Sequence, residues 1–137
     1  MRAMYAHPIH PDYLQKVWPL VKDWLASGLR HGAGEYSVDQ LKVLIQQGQH
    51  ILFTIQTDDE VVGAGTVAFE DYPNARIAFI TSLGGVGVLN TETFESLAEW
   101  ARNNGCTSIR GAVRPSVARL CKKTGFEQRY IIVEHSL

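Results

Sequence analysis

Charge is scarce in this chain, and neither sign dominates. Asp, Glu, Lys and Arg make up 20% of its 137 residues, and the formal net charge is −1. There is no Lys/Arg block, so general affinity for nucleic acid or an acidic membrane is not expected. Cysteine is limited to Cys106 and Cys121, which lack disulfide or zinc-site spacing. Both read as reduced thiols of a cytoplasmic protein. No apolar run approaches the ~20 residues that a membrane helix needs. The first eight residues, Met1 to Pro8, contain no apolar run resembling a signal peptide. His7, His10, His31 and His50 do not fall at metal-ligand spacing, so no metal is expected. Internal repeats, low-complexity segments and linkers are also missing.

What is present suits one domain over residues 1–137 with a single core. Hydrophobic residues make up 45% of it, an ordinary share for a globular chain. Tyr5 to His7 reads as a short strand stopped by Pro8. A helix is expected from near Pro11, since proline suits a first helical turn. Tyr13, Leu14, Val17, Trp18, Val21, Trp24 and Leu25 give it one apolar stripe. Pro19 should kink it, and Ser27-Gly28 should end it. Arg30 to Tyr36 reads as a loop. Ser37 and Gln40 form a capping box that opens a second helix, which stops at Gly48.

Three strands follow, His50 to Gln56, Val61 to Glu70 and Ala75 to Thr81, separated by the turns 57–60 and 71–74. Such short turns imply antiparallel neighbours. A third helix then carries Phe94, Leu97, Ala98 and Ala101 and closes at Asn104-Gly105. Ser108 to Val113 reads as a strand, Pro115 to Thr124 as a fourth helix and Glu127 to Glu134 as a last strand. A helical crossover between strands favours parallel pairing. The expected fold class is therefore α/β (α+β), a mixed, mainly antiparallel central sheet with helices on both faces. The change to parallel pairing falls at a glycine-rich turn. Trp18, Trp24 and Trp100 read as core or boundary residues, Trp100 with part of its ring exposed.

That turn is Ser82-Leu83-Gly84-Gly85-Val86-Gly87. Three glycines in four positions let a ligand approach the main chain. The helix beginning near Asn90 or Thr91 offers unpaired N–H groups and the positive end of its dipole to an anion. Downstream stands Ala118-Arg119-Leu120-Cys121-Lys122-Lys123-Thr124-Gly125-Phe126, a helix that ends on glycine and drops a phenylalanine into the core.

In this order the two segments resemble the motifs of the GNAT superfamily of N-acetyltransferases. Ser82 to Gly87 is similar to that family's Gln/Arg-x-x-Gly-x-Gly/Ala acyl-CoA loop, with Ser82 in place of the basic or amide residue. Ala118-x-x-Cys121-x-x-x-Gly125-Phe126 is similar to its Ala-x-x-Tyr-x-x-x-Gly-Phe helix, with Cys121 in place of tyrosine. The spacing from Gly87 to Gly105 is slightly longer than usual, with Val88-Leu89 inserted. The chain also resembles small GNAT-like proteins of tailed bacteriophages and prophages. That likeness rests on Val17-Trp18-Pro19, Leu83-Gly84-Gly85, Trp100-Ala101-Arg102 with Gly105-Cys106, and Arg114-Pro115 with Ala118-Arg119.

The resemblance implies acetyl-CoA as cosubstrate and direct attack of an amine on its thioester. The acceptor would be an amine-bearing small molecule or protein. The cofactor-binding set it implies is Thr81, Ser82, Leu83, Gly84, Gly85, Val86 and Gly87, joined by Arg114, Ser116 and Arg119. Cys121 would protonate the leaving thiolate; read as a residue alone, it is first a small apolar group packed on the sheet. Arg110 lies near the same crossover. An alkylamine of pKa ~10.4 is about a thousandfold short of its neutral form at pH 7, roughly 4 kcal/mol of barrier. A base is therefore needed, and Glu70 and Glu35 are the candidates, with Asp71 weaker. The alternative is a non-catalytic GNAT-fold phage structural or host-interaction protein. Host cytoplasm or virion are the expected locations, and a homodimer is compatible with either.

Overall fold

The computed structural model of the protein describes residues 3–137. Its sheet has five strands in the order β1 (Tyr5–Ile9), β2 (Ile51–Gln56), β3 (Val61–Tyr72), β4 (Ala75–Gly84) and β5 (Ser108–Gly111). The first three pairings are antiparallel and β4–β5 is parallel. The helices are α1 (Leu14–Leu29), α2 (Val38–Gln46), α3 (Thr91–Asn103) and α4 (Pro115–Lys122). A single 3-10 turn, Pro11–Tyr13, precedes α1.

Side-chain alternation along the strands divides the core in two. Leu52 and Ala64 point to one face, against Leu14, Trp18, Val21 and Leu25 of α1 and Leu41 and Ile45 of α2. Phe53, Val67 and Ala78 point to the other, against Phe94, Leu97 and Ala101 of α3. Trp100 extends the second cluster, edge-on to Phe53 at 4.7 Å and stacked on Phe69 at 5.4 Å. The mixed sheet with helices on both faces is the one expected.

Helices α2, α3 and α4 end alike. In each, the glycine N–H bonds three residues back and the next N–H bonds five back: Gly48 and Gln49, Gly105 and Cys106, Gly125 and Phe126. All three glycines have positive φ, as this helix-ending motif requires. The last of them turns Phe126 onto Phe94, ring to ring at 4.8 Å.

Four expectations are corrected. Pro8 does not stop β1, which runs to Ile9 with Pro8 opposite Phe53. An edge strand tolerates proline because one side of its backbone needs no partner. Gly28 does not end α1. It lies inside the helix, where a Cβ would strike Ser82 and the Leu83 backbone, so it lets α1 approach β4. Strand β4 continues through Ser82–Gly84, so half of the glycine turn is sheet.

The expected last strand is absent: residues 127–134 form no strand. Tyr130, Ile131, Ile132 and Val133 are 65–89% exposed, and no backbone hydrogen bond joins 127–137 to the rest of the described chain. Strand propensity reports fit to a paired, half-buried surface, and these residues have no paired edge.

Candidate active site

Strands β4 and β5 are paired from Ile77↔Ser108 to Ile80↔Gly111 and then separate. Beyond that point β4 runs on through Thr81–Gly84 with β3 as its hydrogen-bonded neighbour. Thr81 is also a bulge residue, because Thr66 faces Ser82 while Val67 faces Ile80. The sheet therefore opens on one side of β4 just where a bulge re-aims its side chains. An extended ligand can lie in such an opening and pair with exposed strand backbone.

The opening leads to the glycine turn, whose glycines differ in role. A Cβ on Gly84 would collide with the Trp24 carbonyl of α1, and one on Gly85 would lie 2.6 Å from the Val62 carbonyl. Both are needed for close packing. A Cβ on Gly87 would meet open space, but its φ of +74° favours glycine. Val86 is 96% exposed. The amides of Val86 and Gly87 donate to no group among the described residues. Val88 is buried between Gly63 and Gly85 and pins the turn down. At the head of α3, the Asn90 side chain accepts from the Thr93 N–H at 2.9 Å and donates to the Gly87 carbonyl at 2.8 Å. The turn thus leaves two unpaired amides shortly before a helix N-terminus, a combination that fits a phosphate group. Glu92 in the first turn of α3 opposes it; one of its carboxylate oxygens accepts from the Met4 amide at 3.0 Å.

The Ser82 side chain is buried, and its hydroxyl donates to the Leu25 carbonyl at 2.8 Å. It points into α1. Arg114 flanks the start of α4, and Arg114, Ser116 and Arg119 are exposed. Cys121 is half-buried on α4, and burial pushes its thiol pKa up. It stays a protonated thiol at neutral pH.

Neither proposed carboxylate base stands at the opening. Glu70 faces Ile77, four residues before Thr81, or roughly 13 Å along the strand. Asp71 beside it pairs with Arg76 at 3.3 Å. One Glu35 carboxylate oxygen accepts from the Ala33 amide at 2.8 Å, folded into its own loop.

A buried polar chain does stand there. His50 is 6% exposed, and its Nδ1 lies 3.1 Å from the Thr81 hydroxyl. That hydroxyl is 2.6 Å from the Thr66 hydroxyl. The Tyr36 ring meets the imidazole edge-on at 5.3 Å. Burial lowers the His50 pKa, so the ring is neutral near pH 7. It stands one residue before β2 and two before Leu52, a spacing that puts both on the α1–α2 side of the sheet.

No protein-family model and no curated protein sequence matches the chain. Solved structures do. An aminoglycoside acetyltransferase, meta-AAC0020, from an uncultured soil metagenomic sample, in complex with sisomicin, is 11% identical with a TM-score of 0.70, covering 98% of this chain and 96% of that one. The aminoglycoside N-acetyltransferase AAC(6')-Iy in complex with CoA is 14% identical with a TM-score of 0.67, covering 100% and 96%. Glucosamine-6-phosphate N-acetyltransferase from Arabidopsis thaliana is 13% identical with a TM-score of 0.65, covering 97% of each chain. At these identities the likeness concerns architecture: the chain has the GNAT acetyltransferase fold.

Proposed function

We propose that the protein is an acetyl-CoA-dependent N-acetyltransferase. The observation that carries this reading is the parting of β4 from β5 beyond Ile80 and Gly111, leading straight to the unpaired Val86 and Gly87 amides. Acetyl-CoA would supply the activated acyl group. Thr81 to Gly84 would line the pantetheine arm, and the Val86 and Gly87 amides would hold the pyrophosphate, with Arg114, Ser116 and Arg119 on the far wall. A strand N–H at the opening would support charge developing on the acyl oxygen. Cys121, kept protonated by burial, is the candidate donor to the leaving sulfur. The acceptor class is an amine-bearing small molecule or a protein amine; two of the similar structures are aminoglycoside acetyltransferases.

The test is thermal stabilisation by acetyl-CoA and CoA, since a ligand binding only the native state raises stability by mass action. A rise in melting temperature at millimolar acetyl-CoA is expected. Val86→Glu should diminish it, because the residue is exposed and an added carboxylate would repel pyrophosphate at no cost to packing. No shift in the wild-type protein rejects the reading.

A second reading is a GNAT-fold module without catalysis, serving a phage virion or host interaction. The observations favouring it are the acidic Glu92 at the α3 N-terminus and the Ser82 side chain turned into α1. The same titration separates the two.

A further inference from the structure

We propose that His50 is the base of the acyl-transfer site and that the acceptor amine reaches it beneath Tyr36. This rests on the acetyl-transfer reading above. Thr81 is the first residue of β4 beyond its pairing with β5 and the residue the bulge sets apart. Through the Thr81 hydroxyl, His50 stands one hydrogen bond from the mouth of the opening. Thr81 in turn contacts both the Thr66 hydroxyl at 2.6 Å and the Thr66 carbonyl at 3.3 Å. The Thr66 carbonyl is a pure acceptor, so the Thr81 hydroxyl can donate there and receive from His50 Nδ1–H. That arrangement leaves the Nε2 lone pair free. Nε2 has no partner among the described residues and is not sealed from solvent.

The surroundings suit a base. The titratable group packed on the ring is Tyr36, and burial, with no charged neighbour, accounts for the shift in the ring's titration. The 30–35 loop before Tyr36 is exposed, which gives an acceptor a route in. A neutral imidazole is a poor match for a free alkylammonium but a good one for the nitrogen once it bonds to carbon. In the step, the amine nitrogen bonds to the acyl carbon and the carbon–sulfur bond breaks, its electron pair leaving on sulfur. His50 Nε2 takes the proton that the nitrogen loses and later passes it to water, and the thiolate takes one proton from Cys121 or water. Thr81 and Thr66 are positioning residues.

The test joins imidazole NMR to kinetics. In the full chain, with His50→Gln to assign the signal, His50 should be neutral at pH 7 with the proton on Nδ1. Its signal should move when CoA binds, and Thr81→Val should shift the tautomer. A proton held on Nε2, or a signal unmoved at CoA saturation, overturns the proposal. With sisomicin and ethylenediamine as probe amines, CoA thiol release by His50→Gln should fall at least tenfold. The acidic limb of the wild-type pH–rate profile should vanish in that variant, while acetyl-CoA still stabilises it. Wild-type turnover and pH profile in His50→Gln overturn the proposal. If neither amine is acetylated, the NMR result decides. If acetyl-CoA fails to stabilise the wild-type protein, the site itself is lost and this proposal with it.

Discussion

Ser82 opens the glycine turn, and its hydroxyl holds the Leu25 carbonyl. Ser82→Ala should therefore cost about 1 kcal/mol of stability, the usual worth of one hydrogen bond, without weakening acetyl-CoA binding. Gly84→Ala should cost more, on the order of 2 kcal/mol, because its methyl would collide with the backbone of α1. Denaturant midpoints of the two variants check the order. His50 gives a pH dependence with a definite sign. Burial lowers its folded pKa below the ordinary value of 6.5, so the unfolded chain binds the proton more readily. Its contribution is fully present above pH ~6.5 and is lost as pH falls through the lowered folded value. Thermal melts should show stability declining on acidification through that window, with a shallower decline in His50→Gln. An unchanged slope would remove His50 as its source.

Among the elements, α3 governs the candidate phosphate end. Asn90 caps it and ties down the Gly87 carbonyl in the same gesture. Asn90→Ala should cost about 1 kcal/mol and should also weaken acetyl-CoA binding, since the loop loses its tether. A stability loss with unchanged binding would make the cap purely structural. The helix limits were legible in the sequence because they are local: the Ser37 and Gln40 box and the three glycine stops at 48, 105 and 125 appear where expected. The continuation of α1 through Gly28, and of β1 through Pro8, was not. Both depend on what lies alongside: β4 against Gly28, and no further strand beyond β1 to need the missing Pro8 N–H. The proposed base was illegible for the same reason. Glu70 and Glu35 are prominent in sequence, whereas His50 reaches Thr81 only because β2, β3 and β4 are paired in register.

At the scale of the whole molecule, two cores on opposite faces hold one sheet. No helix among the described residues is long and apolar enough to cross a membrane. The segment after Phe126 lies outside both cores, though the Tyr130 ring comes 5.9 Å from the Arg110 guanidinium of β5. Amide hydrogens of residues 128–137 should exchange at nearly the unprotected rate at low protein concentration, as they form no ladder. Protection appearing only at high concentration would mark a second copy on the β5 edge, which four exposed apolar residues in a row would favour.

The sequence by itself determined helices α2 to α4 with their caps, the antiparallel run of β2 to β4 and the switch to parallel pairing, because periodicity, glycine stops and turn lengths act over a few residues. Only the tertiary structure decided which glycines pack and which stand open, where β4 leaves β5, and that His50 meets Thr81. Those outcomes come from strand register and from the approach of α1 to β4, contacts between residues 30 to 60 positions apart that no local pattern encodes.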